Sequence, residues 1–440
     1  LDYREAIDYL ESLMRFGIKL ELDRISLLLR RLGDPHLRVP VVHIGGTNGK
    51  GSTAAMVASI LKAAGYCTGL FTSPHLHSYT ERFLTDGRPI PPEVFADLVA
   101  EIRPAVTQVA AEIGEEPTEF EVLTALAFLY YARRKTDVLV LEVGMGGEYD
   151  ATNVVPDPLV AIITNVGWDH MDRLGNTIAE IARAKAGIVK PGGWAVTAAE
   201  GEALAVIRER CRRVGARLFE VAECARTGSG ELLPQGQRFD LKVFDRDYPN
   251  LFLPLLGEHQ VKNAATAVVA CEVASRFRGL AVPPEAVRRG LAEVRWPGRL
   301  ERVGSHPTVI LDVAHNWNAA EALRNSLEAL GYHNHNLVLV LALLADKERE
   351  KIVGTLAPLA RAVVVTRPLS PRAGAWEEVA EVARAYAEEV YLEPEIPAAI
   401  TRACSLAGPD GAVVITGSFY MVGEARAFLT ECGKTGGNAT

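Results

Sequence analysis

The chain has 440 residues, 48% hydrophobic and 23% charged, with 47 Lys and Arg against 55 Asp and Glu for a net charge of −8. That length can bury a sizeable core and suggests two or three domains, and the composition is that of an ordinary soluble enzyme. The acidic balance disfavours nucleic acid as a bulk partner, and no apolar run is long enough to span a bilayer.

Residues 2–32 read as amphipathic helices and not as a signal peptide; the chain opens on Leu1 rather than Met, which suggests a trimmed start. Val39, Val41, Val42 and Ile44 then form a short β-branched run, the pattern of a buried strand. Gly45, Gly46, Thr47, Asn48, Gly49, Lys50, Gly51 and Ser52 follow, and after them an apolar helical stretch to Ala64. Strand, glycine loop and helix together make a phosphate cradle: backbone amides and the helix N-terminus face the anion. Lys50 can reach the β- and γ-phosphates and Ser52 can offer a hydroxyl to Mg²⁺. The standard G-x-x-x-x-G-K-[ST] spacing is not met, because Gly51 separates Lys50 from Ser52 and position 44 is Ile.

Cys67–Phe71 reads as a second strand, ending in a polar loop of Thr72, Ser73, Pro74, His75 and Leu76, where open α/β sheets bind ligands. Ser73 is a second candidate hydroxyl near the metal; His77 reads as an ordinary loop residue. A helix is expected over Glu93–Ile113, and another from Thr118 to about Arg134. Thr118 and Glu121 fit a capping box, and Phe120 fits either a core position or a stack on a flat ring. Asp137–Val143 is an apolar strand closing on Glu142, the Walker B arrangement in which a carboxylate holds Mg²⁺. A glycine run and Asp150, Ala151, Thr152 and Asn153 come next, and the glycines allow close approach of a ligand. Leu159–Thr164 is a strand leading to His170, a candidate metal ligand or phosphate contact. Ile178–Lys190 is a helix containing Lys185, Trp194–Thr197 a strand and Gly201–Val214 a helix. Residues 217–256 change texture and read as a small β-rich insertion; helices at His259–Arg276 and Pro283–Ala292 resume the α/β pattern.

Trp296–Pro297–Gly298 reads as a boundary and hinge, with the nucleotide between the domains on its two sides. Beyond it, strands are expected at Thr308–Val313, Leu337–Leu341, Ala362–Thr366 and Ala412–Thr416. Helices are expected near 318–329, 347–358, 376–387, 395–405 and 421–430. The fold class is therefore α/β: a P-loop domain over 1–296 with a β-rich insertion, then a Rossmann-like parallel α/β domain over 297–440. Gly433–Thr440 reads as a frayed tail. Cys67, Cys211, Cys224, Cys271, Cys404 and Cys432 form no C-x-x-C, and reduced thiols in a cytoplasmic protein are expected.

GTNGKGS at 46–52, TSPHL at 72–76, EVGMGG at 142–147, DATN at 150–153 and TNVGWDHM at 164–171 come in a distinctive order. So do AKAGIVK at 184–190, GEHQVKNA at 257–264, PGRLE at 297–301, LDVAHN at 311–316 and TGSFYMVGEAR at 416–426. The ordered set closely resembles the folylpolyglutamate synthases, Mur ligase relatives that are often bifunctional with dihydrofolate synthase. The resemblance implies a cytoplasmic, monomeric ligase that uses ATP to join L-glutamate to a reduced folate, or to dihydropteroate, through an acyl phosphate. It implies ATP held by Gly46, Thr47, Asn48, Gly49, Lys50, Gly51, Ser52, Asn263, Arg299, Asp312 and His315. It implies one Mg²⁺ met by Ser73 and Glu142 with Ser52 nearby, a second held by His170, and a carbamylated Lys185 that also contacts metal. Lys50, His170 and Lys185 would be catalytic. Thr118, Glu119, Phe120 and Glu121, with Tyr149, Asp150 and Ala151, match the pterin-binding positions. Two departures stand out: Glu148 replaces the usual Arg, and Trp317 replaces the usual Pro. A dedicated dihydrofolate synthase, a Mur-type peptidoglycan ligase and a nucleotide-switch protein without ligation are the rival readings.

Overall fold

The apolar run before the glycine loop forms strand β1, Val41–Gly45, buried at every position in the computed structural model of the chain, which describes residues 1–436. Its sheet also contains β2 (Thr68–Phe71), β3 (Phe83–Thr85), β4 (Arg88–Pro89), β5 (Val138–Glu142), β6 (Val160–Ile163), β7 (Trp194–Thr197) and β8 (Arg217–Glu220). The order is β4-β3-β2-β5-β1-β6-β7-β8, parallel except for the β3 and β4 edge. β1 is flanked by β5, with Ile44 beside Glu142, and by β6, with Gly45 beside Ile163. Strand order reverses around β1, so the loops after β1, β5 and β6 emerge together at the carboxyl edge, where such sheets bind ligands.

Helices Tyr3–Leu13, Asp23–Arg31, Pro92–Ile113 and Glu119–Arg133 share one core with the sheet through Leu10, Leu28, Phe95, Val99, Leu126, Phe71, Leu139 and Leu141. A second cluster joins helices Ile178–Ala186 and Gly201–Val214 to β6 and β7 through Ala182, Ile207, Ala161, Ile163 and Ala195. The capping box at Thr118 is real: Glu121 N donates to Thr118 Oγ1 at 3.3 Å, and Thr118 N donates to Glu121 Oε2 at 2.7 Å. Arg24 Nε donates to the same oxygen at 3.1 Å, and both charged side chains are buried.

Strands β9 (Ala225–Leu233), β10 (Gly236–Val243) and β11 (Arg246–Leu253) make the small insertion as a separate sheet ordered β11-β10-β9. β8, expected inside that insertion, instead pairs in parallel with β7 as the edge of the main sheet. The helix expected over Ile178–Lys190 ends at Ala186, where Gly187 caps it and Pro191 follows four residues later. The chain divides into two compact units, the first being Leu1–Glu231, Arg238–Pro254 and Val261–Val294. The second holds Leu232–Gln237, Leu255–Gln260 and the chain from Arg295 on.

In the second unit the sheet comprises β12 (Glu301–Ser305), β13 (Thr308–Leu311), β14 (Asn334–Leu341), β15 (Ala360–Val365), β16 (Glu389–Leu392) and β17 (Ala412–Thr416). Its order is β12-β13-β17-β14-β15-β16, with β12 antiparallel. Leu323, Leu339, Leu341, Ile352, Val363 and Val414 form its core. β3, β4, β12 and β16 carry no long apolar run, which is why the sequence pattern passes over them. The last helix, Phe419–Gly436, continues through the stretch expected to fray from Gly433; the rest of that tail, residues 437–440, lies outside the described residues, as does the Cys432 side chain. The other five cysteines are free thiols, and no described helix is long and apolar enough to cross a membrane.

Arg24→Met should destabilise the protein by about 3–5 kcal/mol, because it leaves the Glu121 carboxylate buried without its cation. Urea unfolding followed by far-UV circular dichroism measures this; Arg212→Ala, at an exposed pair with Glu209, should stay within about 0.5 kcal/mol of the parent.

Candidate active site

β1 delivers the chain into a loop that only glycine can make at two places. Gly46 has φ +137°, and a Cβ on it would lie 2.0 Å from Thr164 Oγ1. Gly49 has φ +79°, and a Cβ there would lie 2.4 Å from Asn263 Oδ1. The segment after β6 clamps this loop. Thr47 N donates to Asn165 O (2.9 Å), Asn48 N to Asn165 Oδ1 (2.8 Å), Gly167 N to Thr47 Oγ1 (2.9 Å), and Thr164 Oγ1 to Asn48 O (2.6 Å). The helix Lys50–Ala63 starts straight from the loop, with Gly51 and Ser52 buried in its first turn. Its first amides have no intrahelical acceptor, which makes this end an anion site.

Two lysines converge on the loop. Lys50 Nζ donates to the carbonyl oxygens of Gly46 (3.1 Å) and Thr47 (3.0 Å). Lys185 Nζ donates to the same Gly46 oxygen at 3.0 Å. Lys185 is 3% exposed, unlike a solvated helix lysine. Burial pushes its pKa down to about 7, with the Lys50 charge adding and Asp169 and Asp150 opposing. The free amine is therefore reached well below the ordinary lysine range.

Glu142 ends β5 at 4% exposure, so it is not a solvated strand end. Its Oε2 accepts from Ser73 N at 3.0 Å, which joins the loops after β2 and β5. His170 follows β6 and opens the short helix Met171–Leu174 in a left-handed conformation, φ +50°. Its Nε2 lies 3.7 Å from Asp169 Oδ2.

Of the residues expected around the pterin, Thr118 and Glu121 have their side chains in the capping box and the Arg24 pair. Phe120 lies against Phe71, and a Cβ on Gly144 would come within 2.5 Å of Phe120 Cζ, so ring and glycine loop are in contact. Glu119 accepts from the Tyr79 hydroxyl at 2.7 Å. Tyr149 is 55% exposed, whereas Asp150 and Ala151 are buried. The Asp150 carboxylate accepts from Met145 N, Thr152 N and Thr152 Oγ1.

In the second unit, Asp312 is buried at the end of β13 and accepts from Leu300 N (3.0 Å) and Ala314 N (2.8 Å). Burial raises its pKa, against the pull of the Arg299 charge. Leu300 is held at φ +47°. The Phe419 ring gathers its neighbours, with Arg299 at 5.3 Å and His315 at 5.4 Å. The resemblance assigns roles to Arg299, Asp312 and His315 but none to Phe419, nor, in the first unit, to Asn165, Asp169 and Arg24. Phe419 lies inside the stretch TGSFYMVGEAR, and Asn165 and Asp169 inside TNVGWDHM, and those stretches are the signal that could have found them.

Comparison with known proteins gives two matches along the chain. Residues 44–271 match the Mur ligase middle domain, and residues 298–419 the Mur ligase glutamate ligase domain. The chain is 37% identical to the dihydrofolate synthase/folylpolyglutamate synthase of Bacillus subtilis (strain 168), over 97% of this chain and 99% of that one. Mycobacterium tuberculosis folylpolyglutamate synthase complexed with ADP matches at TM-score 0.90 and 37% identity, over 97% of this chain and 99% of that one. An FPGS–AMPPCP–folate complex matches at TM-score 0.84 and 32% identity, over 98% of this chain and 100% of that one. This chain belongs to the Mur ligase family. Within it, the chain falls in the folylpolyglutamate synthase/dihydrofolate synthase branch.

The two departures from that branch now have surroundings. Glu148 N donates to Ala184 O at 2.8 Å, and a Cβ on Gly187 would lie 2.3 Å from Glu148 Cβ. The backbone at 148 therefore has its own packing role, whatever the sign of the side chain. Trp317 begins the helix Trp317–Ala329 with Lys351 Nζ 5.0 Å from its ring centroid, a contact worth about 0.5–1 kcal/mol when exposed.

Lys50→Ala should lower ATP turnover at least about 100-fold, as loss of a preorganised positive group at a developing charge does. The thermal midpoint should stay at the parent value, since the Lys50 head is only partly buried; differential scanning fluorimetry beside a coupled ADP assay checks both.

Proposed function

We propose that the chain joins the α-amine of L-glutamate to the glutamyl carboxylate of a reduced folate, with ATP converted to ADP and phosphate. The class, an ATP-dependent glutamate ligase of the folylpolyglutamate and dihydrofolate synthases, follows from the family. The observation that carries the finer reading is the buried Lys185 amine on the Gly46 carbonyl. A nucleotide switch needs the glycine loop and Glu142 but has no use for a second, partly neutral lysine there.

In this mechanism the folate carboxylate attacks the γ-phosphorus of ATP, forming an acyl phosphate and releasing ADP. The glutamate amine then attacks the acyl carbon, the amide forms, phosphate leaves and the amine loses a proton. The chain supplies position and charge. Lys50 and the amides at the start of its helix hold the phosphates; Asn165 and Thr164 keep the loop in shape. Phe120 and the glycine run beside it offer a face for the pterin, and Tyr149 an exposed ring nearby. Asn263, beside Gly49 in the first unit, serves the same nucleotide.

The donor set fits Mg²⁺. Hard oxygen ligands are present in Glu142, Ser52 and Ser73, and His170 is the candidate ligand for a second ion. Among the described residues no three His, Cys, Asp or Glu side chains gather as a cage; Mg²⁺ needs only one or two carboxylates beside substrate phosphates and water. Bound there, it would neutralise phosphate charge. The Lys185 amine, free of its proton at moderately alkaline pH, can add to CO₂ to give a carbamate anion and a proton, which reverses its charge. The Bacillus subtilis relative is named for both activities, and that supports dihydropteroate as a second acceptor.

The deciding assay is ADP release with Mg²⁺, ATP and L-glutamate, run with tetrahydrofolate and with dihydropteroate. Release with tetrahydrofolate is expected; release with both means a bifunctional enzyme, and release with neither overturns the reading. Lys185→Ala should lose at least about 100-fold in rate. In ¹³C-bicarbonate, a carbamate resonance absent from that variant should grow as pH rises through about 7, because the reacting form is the neutral amine. A spectrum without it at pH 8 in an active sample would remove the carbamate from the mechanism.

A further inference from the structure

His43 lies in the middle of β1, three residues before Gly46, and is 0% exposed. Its Nε2 is 2.8 Å from Thr152 Oγ1. The Thr152 hydroxyl donates to Asp150 Oδ1 at 2.5 Å, and Thr152 N donates to that oxygen at 3.0 Å. Asp150 Oδ2 accepts from Met145 N at 2.8 Å. The one hydroxyl proton of Thr152 is therefore committed to Asp150, so its oxygen accepts from His43 and the imidazole proton sits on Nε2. Nδ1 is left buried without a hydrogen-bond partner. Burial, and then the Lys190 charge, push the His43 pKa down to about 3, which keeps the ring neutral.

The far end of this relay is the loop that packs on Lys185. Glu148 N donates to Ala184 O at 2.8 Å. A Cβ on Gly147 would come within 2.7 Å of Ala184 O and 2.8 Å of Lys185 O. Asn153 Nδ2, next to Thr152, donates to Glu148 O (2.9 Å) and Gly187 O (3.2 Å), on the two sides of that contact. Asp150, Thr152 and Asn153 thus clamp residues 145–148 onto the end of the Lys185 helix. His43 ties the same clamp to β1, whose next turn supplies the Gly46 oxygen that receives Lys185. Packing alone does not call for a histidine here, since a leucine would fill similar space without an unsatisfied buried nitrogen.

We propose that His43 and Thr152 are positioning residues for ligation, a buried His43–Thr152–Asp150 relay that sets the register between the phosphate-loop strand and the loop carrying the Lys185 contact. The proposal rests on the ligase reading above. His43 touches no reacting atom, so its removal should misplace Lys185 without emptying the nucleotide site.

The test is kcat and KM for ATP with tetrahydrofolate and glutamate, beside the thermal midpoint, for His43→Leu, His43→Gln, Thr152→Val and Thr152→Ser. His43→Leu and Thr152→Val should lose about 10- to 100-fold in kcat, with KM for ATP changed less than about threefold and the midpoint of His43→Leu level or higher. His43→Gln, whose amide N–H can replace Nε2–H, and Thr152→Ser should recover most of the rate. Parent-like kcat in His43→Leu would overturn the relay, as would equal loss in Leu and Gln with equally lowered midpoints. Should His43→Leu fail to fold, the Thr152 pair decides: Val equal to Ser overturns the proposal. A parent protein that forms no ADP with any folate overturns the ligase reading itself, whereas an active parent beside an unaffected His43→Leu overturns the relay alone.

Discussion

A single carbonyl oxygen, that of Gly46, accepts hydrogen bonds from two lysine side chains. The buried one gives way: loss of water around the Lys185 ammonium, and then the nearby Lys50 charge, push it toward its neutral form. This arrangement depends on Gly46 having no side chain, because the space a Cβ would take is filled by Thr164. The loop, the strand before it and the segment after β6 must therefore be held in one register. Hydrogen bonds donated by Thr164 Oγ1 and Gly167 N, and the one Asn165 Oδ1 accepts from Asn48 N, hold it.

The sheet order makes that register possible. Because β1 lies between β5 and β6, the Glu142 carboxylate and the Thr164–Gly167 clamp arrive on its two sides without long connections. Helix Asp23–Arg31 then braces helix Glu119–Arg133 through Arg24, which fixes where Phe120 meets the glycine run. In the second unit the same economy appears in Asp312, whose two oxygens hold Leu300 and Ala314 and so set Arg299 and His315 around Phe419.

Much of this was legible from the residues. The buried parallel strands are short continuous apolar runs, and the phosphate loop was readable despite its extra Gly51 because glycine, lysine and serine act locally. Edge strands β4, β12 and β16 are not legible, since exposed, short strands lack such runs; β3, buried between β4 and β2, has only three residues; and β8, an edge strand beside the insertion, lacks such a run too. Lys185 reads from its own helix as a solvated lysine; its burial is a tertiary fact, and only the ordered motifs pointed to it. Arg24 and Glu121 lie 97 residues apart, and His43 and Thr152 109 apart. No local pattern signals such pairs, and His43 is hidden inside an apolar strand.

Transfer of ¹⁸O from the acceptor to phosphate tests the central claim most directly. With a folate labelled in its glutamyl carboxylate, attack on the γ-phosphorus and later loss of phosphate from the acyl carbon carry one labelled oxygen into the released phosphate. The account predicts one ¹⁸O per phosphate formed, seen as an isotope shift in the ³¹P spectrum and dependent on L-glutamate for turnover. Unlabelled phosphate formed alongside glutamylated folate would contradict an acyl phosphate at this loop.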